Sequence, residues 1–180
     1  MPLSRFIFTV SVLLPVACFA EAGLADDFTV ETLNAEKVFP GTTLFSVTAN
    51  FNTQKIIEAD MRGKTVWSYP IPDSVKGEKG FLQDVNLLDN GHILFTLHHA
   101  GIFEITRAGK VVWSHKDPEA SHDADRLANG NTLVSSRDRL YEVTRDGEIV
   151  WQVNAPSGGE NKRKFHKAIR IGTDGKRYGG

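Results

Sequence analysis

From Leu140 to Thr144 polar and apolar positions alternate in a short run. Leu140, Glu142 and Thr144 fall on one side, Tyr141 and Val143 on the other. A period of two is that of a β-strand. The reading extends both ways. His122 to Leu127 predicts a first strand. Ala128 to Asn131 predicts a turn, because Asn-Gly accepts the positive φ of a tight hairpin. Thr132 to Ser135 predicts a second strand, followed by a turn at Arg137-Asp138. Leu140 to Thr144 is the third strand, and Asp146-Gly147 turns the chain into a fourth, Glu148 to Val153. No segment beyond the N-terminus shows helical periodicity.

This pattern repeats. "ADMRGKTVWSY" from Ala59, "ITRAGKVVWSH" from Ile105 and "VTRDGEIVWQV" from Val143 each carry a β-rich run, a Gly turn, a charged residue and a Trp. The tryptophans Trp67, Trp113 and Trp151 lie 46 and 38 residues apart. "VNLLDNGHILF" from Val85 and "ADRLANGNTLV" from Ala124 form a second recurring element, and "AIRIGTDGKRY" from Ala168 starts a further copy. Four short antiparallel strands in roughly 35 to 45 residues make one blade of a β-propeller. The expected fold is therefore all-β. It has about three and a half four-stranded blades, in units near 28–69, 80–117, 118–155 and 164–180, as a fragment of a larger ring. The first unit is less regular, with Pro40-Gly41 in place of Asn-Gly. Pro156 to Lys164 reads as a solvated loop. The tryptophans are expected to pack between neighbouring blades.

The N-terminus reads differently. Arg5 precedes an apolar run from Phe6 to Ala20, and small residues follow at Ala20 and Ala22. This is the pattern of a secretory signal peptide over residues 1–22, leaving 23–180 as the mature partial propeller. Cys18 is the only cysteine, so the mature chain has no disulfide, thiolate nucleophile or thiolate metal site. Nothing after Ala22 is long and apolar enough to span a bilayer as a helix. The expected location is the periplasm or outside the cell. A formal net charge of -1 gives no electrostatic reason to expect nucleic acid.

"HDADRLANGNTLV" followed by "RLYEVTRDGEIVWQV" resembles the repeats of bacterial arylsulfotransferase propellers. The Gly-charged-apolar-apolar-Trp pattern is also similar to quinoprotein-type propeller repeats, some of them non-enzymatic. The arylsulfotransferase resemblance runs from about Thr42 to Gly180. It implies a propeller of about six blades with its active site in the central channel. It also implies transfer of a sulfuryl group from a phenolic sulfate ester to a phenol. A channel histidine would take the group covalently, and other histidines and an arginine would hold its oxygens. The matching positions are His122, opening an inner strand, and His166 in the next copy. Unit two departs from the pattern with Gln83-Asp84, and Lys167 stands where unit three has Asp123.

The residues support this chemistry in part. A neutral imidazole is a competent nucleophile near neutral pH, and cationic donors stabilise the charge spread over sulfuryl oxygens. Alternation puts His122, Ala124 and Arg126 on one face and Asp123 and Asp125 on the other, so His122 and Arg126 could address one anion. The candidate catalytic set is His122, His166 and Arg126. A His or Asp at the same place also serves simply to fix blade geometry by hydrogen-bonding a neighbouring loop. His98 and His99 are expected on opposite faces of one strand, His92 exposed in a hairpin turn, and His115 at a blade edge. Asp123, Asp125, Asn129 and Asn131 do not match a calcium-loop spacing, and no phosphate loop, zinc motif or serine elbow is present. No cofactor or metal is expected. The alternative is a non-catalytic envelope propeller binding a protein or glycan on its rim. A quinone-dependent dehydrogenase is a third reading, unsupported by any cysteine pair or calcium pattern. Intact mass and N-terminal sequencing of exported protein should place the first residue at Glu21 or Gly23; recovery of a Met1 terminus from the periplasm refutes the cleavage.

Overall fold

The computed structural model describes residues 28–50, 52–119, 121–156 and 165–178. The signal-peptide reading and nearly all of the loop from Pro156 to Lys164 lie outside them. Three antiparallel meanders follow one another. The first is β1 (Thr42–Asn50), β2 (Thr53–Asp60) and β3 (Thr65–Pro70). After a four-residue helix α1 (Asp73–Lys76) comes β4 (Phe81–Leu87), β5 (Ile93–His98), β6 (Gly101–Ile105) and β7 (Val111–Lys116). The third is β8 (Asp123–Arg126), β9 (Thr132–Ser135), β10 (Arg139–Val143) and β11 (Ile149–Asn154). A hairpin, β12 (Arg170–Ile171) and β13 (Arg177–Tyr178), follows. Successive four-stranded meanders packed face to face are blades of a β-propeller.

Two local expectations change. The first unit has three strands among the described residues, because Phe28 to Phe39 adds none. Asn34 explains part of this. Its carbonyl accepts Lys37 N–H at 3.1 Å and Val38 N–H at 3.0 Å, and its side chain accepts Glu36 N–H at 3.1 Å. These bonds curl the backbone where a strand would need it extended. Helix α1, absent from the periodicity, is one turn starting after Pro72 and closing at Gly77, too short to show a 3.6-residue repeat.

Blade two is buried on both faces, and β5 shows how. Ile93, Phe95 and Leu97 pack toward blade one with Ile56, Tyr69 and Leu82. Leu94 packs toward blade three with Ile102, Trp113, Val134 and Tyr141. A strand covered on both sides reads as a continuous apolar run, and "ILFTL" is one.

A repeated latch joins the blades. In each outer strand the Trp stands opposite a Glu: Trp67 with Glu58, Trp113 with Glu104, Trp151 with Glu142. A register shift follows each Glu. The indole N–H of Trp67 donates to the Arg107 carbonyl of the next blade at 2.9 Å, and that of Trp113 to the Arg145 carbonyl at 2.8 Å. The same arginines turn back over the rings, at 5.1 and 5.5 Å from the centroids, and pair with Glu58 and Glu104. Gly109 lets this turn come close: its φ is 78°, and a Cβ there would sit 3.0 Å from the Tyr69 ring of blade one. Trp151 has no such turn among the described residues. It is 42% exposed, against 8% for Trp113, with Arg170 at 4.8 Å from its ring. Trp113→Phe keeps the apolar bulk but removes the donor and weakens the cation–π contact, so urea unfolding should show a loss of about 1–2 kcal/mol. Trp151→Phe should stay within about 0.5 kcal/mol of the parent.

Candidate functional site

Three successive blades bring an imidazole to the same end of their strands. His98 closes β5, His122 immediately precedes β8, and His166 lies ahead of β12. The rings form a row. His98 and His122 are 5.0 Å apart between centroids, and His122 and His166 are 4.8 Å apart. His99 adds a fourth ring, 4.1 Å from His98 and edge-on to it. The two inner rings are half-buried and the two outer ones exposed.

The backbone around His122 is held on both sides. Its N–H donates to the Ser135 carbonyl at 2.7 Å, carrying the ladder one step beyond β8. Its carbonyl accepts the Thr96 hydroxyl of blade two at 3.3 Å. Thr96 in turn accepts the Asp84 N–H at 3.2 Å. One buried threonine thus ties the inner-strand starts of blades two and three together.

The expected separation of His98 and His99 is corrected by the backbone. β5 ends at His98, and His99 takes a φ of 67°, the one positive value at a non-glycine among the described residues. Alternation fails in that turn, and the rings fold against each other. "HHAG" held the signal, since Gly101 opens the next strand and leaves only His99 and Ala100 to turn. The strand reading ran one residue too far, and so missed His98 as a neighbour of His122.

Arg126 is not part of this row. Alternation does give it the same face as His122, but four residues of extended chain amount to about 13 Å. Its guanidinium donates to Glu104 and to the Gly130 carbonyl, both at 2.9 Å, and lies 4.6 Å from the Trp113 centroid. It lines a cleft of about 570 Å³ with Leu87, Leu88, Glu104, Leu127 and Arg145, at the far end of the strands. His92 is half-buried and reaches the same Glu104 at 2.8 Å. His115 stacks on Trp113 6.4 Å away, and burial pulls its pKa down.

A buried acidic layer lies behind the imidazoles. Asp123 and Asp125 face away from Ala124 and Arg126 and are both buried. Asp123 takes the Lys167 ammonium at 3.1 Å and the Ala168 N–H at 3.2 Å. Asp84 accepts the Asn86 amide at 2.7 Å. Burial, and then the Asp123 charge beside it, push Asp84 up to about 6, with Lys167 opposing. Asp125 is raised for the same reasons. Lys167 is raised chiefly by its hydrogen bond to Asp123. Among the described residues no group of three or more His, Cys, Asp or Glu is arranged to hold a metal.

A carboxyl whose pKa rises on folding is protonated more readily in the native state. Asp84 therefore costs stability as pH climbs from about 4 to about 6, by no more than about 3 kcal/mol. Asp84→Asn removes this dependence. Urea unfolding should show the variant gaining on the parent across that window and holding a constant difference above it; parallel pH profiles refute the shift.

The profile described as Arylsulfotransferase (ASST) matches residues 28–161. No curated protein matches the chain. Among solved structures, a protein of unknown function from Bacteroides caccae superposes with a TM-score of 0.56 at 21% identity, over 77% of this chain and 52% of its own. A catalytically inactive virginiamycin B lyase from Staphylococcus aureus is less similar, with 18% identity, coverage of 77% and 48%, and a TM-score of 0.48. BamB from Moraxella catarrhalis has 16% identity, coverage of 71% and 40%, and a TM-score of 0.41. At such identities the likeness reaches the fold alone, and the chain spans about half the length of the Bacteroides protein. The profile, by contrast, takes in all three meanders through β11, with the Trp–Glu pairs and the inner histidines His98 and His122: the chain belongs to the arylsulfotransferase family.

Proposed function

We propose that this chain supplies the imidazole row of an exported aryl-sulfate sulfotransferase. The reaction would move a sulfuryl group from a phenolic sulfate ester to a phenol by way of a histidine. The observation that carries the reading is the meeting of His98, His122 and His166, one from each of three successive units, in a chain of this family.

His122 is the assigned nucleophile, since its ring lies between imidazoles brought by the two neighbouring units and its backbone is fixed from two blades. A ring nitrogen attacks sulfur, forming the N–S bond as the S–O bond to the aryl group breaks. The phenolate leaves with the electron pair and takes a proton from a neighbouring imidazolium. The acceptor phenol then returns a proton to that imidazole while its oxygen attacks sulfur and the N–S bond breaks. His98 and His166 flank the attacked group and donate N–H bonds to the sulfuryl oxygens, where charge accumulates. Lys167, next to His166 and 56% exposed, adds a cation at this end of the strands. Arg126 takes no part in this transfer, because Glu104 and Trp113 hold its guanidinium at the far end of the strands.

Export is proposed from the signal-like residues 1–22, with the periplasm or the cell exterior as the location. Among the described residues no helix is long and apolar enough to cross a membrane.

The test is release of nitrophenol from para-nitrophenyl sulfate in the presence of a phenol acceptor. His122→Ala should lower acceptor-dependent release by about a hundredfold or more, and His98→Ala and His166→Ala by about tenfold each. Absence of release from the folded chain, or equal release from His122→Ala, overturns the reading and favours a non-catalytic binding propeller.

A further inference from the structure

We infer that Asp123 is the positioning residue that sets His166 against His122. His166 sits in a segment of little regular structure, the second residue of the stretch 165–178. Its place is decided just downstream. The Asp123 carboxylate takes both donors that follow His166, the Lys167 ammonium on Oδ1 at 3.1 Å and the Ala168 N–H on Oδ2 at 3.2 Å. Asp123 itself is buried and follows His122 directly in β8. One rigid carboxylate therefore holds the residues beside both rings, and their centroids end 4.8 Å apart.

The preceding junction shows that this arrangement is particular to His166. There the counterpart of Asp123 is Asp84, and the counterpart of Ala168 is Ala124. Asp84 lies beside the Asp123 carboxyl, and the bond to Ala124 is made for it by a neighbour. It takes the Asn86 amide, which passes a second bond to the Ala124 carbonyl at 3.1 Å. In unit three Asp125 stands at the place of Asn86 and brings no amide donor to span the gap. The carboxylate of Asp123 makes the connection directly, to a segment that carries a lysine in the place of its own next-blade counterpart. Arg177 of β13, 4.0 Å from Asp125, adds a second cation to the same buried layer. The charges facing Asp123 are thus Asp84 from β4, Asp125 from its own strand and Lys167 from the fourth unit, with Arg177 beside Asp125.

The importance of this role rests on the sulfuryl-transfer reading, but its test does not. In the 180-residue chain, ring-proton Overhauser contacts report His122 to His166 and His98 to His122 separately. Asp123→Ala should abolish the first and leave the second. Asp123→Asn, whose amide oxygen still accepts the Ala168 N–H, should restore it. If Asp123→Ala does not fold, Lys167→Met, at an exposed site, should weaken the same contact. A His122–His166 contact unchanged in Asp123→Ala or Lys167→Met, or lost together with His98–His122, overturns the assignment. With activity present, Asp123→Ala should lower kcat by about tenfold or more, more than it raises KM, with Asp123→Asn recovering part of the loss. Absence of nitrophenol release from the parent chain defeats the sulfuryl-transfer reading while the ring contacts still decide the role of Asp123.

Discussion

Glu104 is the point on which the arc turns. It is 2% exposed in its side chain and takes three partners, His92, Arg126 and Arg145. A carboxylate in such a place is tolerable only when its oxygens are filled by charged or strongly polar donors. Two of those donors come from blade three, so the charge in blade two is neutralised only when the blades are together. The hydrogen bonds and charges of these partners outweigh the cost of burial, and the Glu104 pKa ends below its ordinary value. Around this centre the indole of Trp113 seals the interface and gives its N–H to the Arg145 carbonyl. Hydrophobic contact brings sheets together without choosing a register. The Trp–Glu–Arg set fixes which residue of one blade meets which residue of the next.

Register matters because the site is built from one side chain per blade. A one-residue slip of β8 would bury the Asp123 charge among Leu94, Trp113 and Val134, where Ala124 now packs. The imidazole row depends on three strands ending at a common level. The latch lies at one end of those strands and the row at the other. Rigid strands carry the alignment across the length between them.

Much of this fold was legible because the repeat states it three times. The Trp spacing, the Gly turns and the alternation in "RLYEV" each predict a strand or turn that is present. The latch itself was only half visible. The Trp67, Trp113 and Trp151 repeat predicts interblade packing, but the partner Glu of each lies nine residues upstream, across a bulge that two-residue periodicity does not show. The site was legible to the extent that it lies at strand starts. His122 and His166 follow from aligning units three and four. His98 comes from a different strand of its blade, so no alignment of copies could pair it with them; only the packing of β5 against β8 does. Arg126 failed for a simpler reason. Sharing a face is not sharing a place, and the distance along the strand was decisive.

The latch also has a direction. Trp67 and Trp113 donate forward and Arg107 and Arg145 reach back, so the two faces of a blade are unlike: one offers an indole, the other a carbonyl and a guanidinium. Faces of that kind cannot pair with themselves about a twofold axis; they join head to tail. The Trp151 face is the forward one, and what suits it is a turn bearing arginine. At the backward face of blade one the corresponding residue is Met61, by the same spacing that separates Gly63 from Gly109. The segment from Phe28 already meets that turn, the Phe28 N–H donating to the Gly63 carbonyl at 2.8 Å. The turns of blades two and three thus carry the guanidinium that clasps the preceding blade, and the turn of blade one carries a thioether in its place.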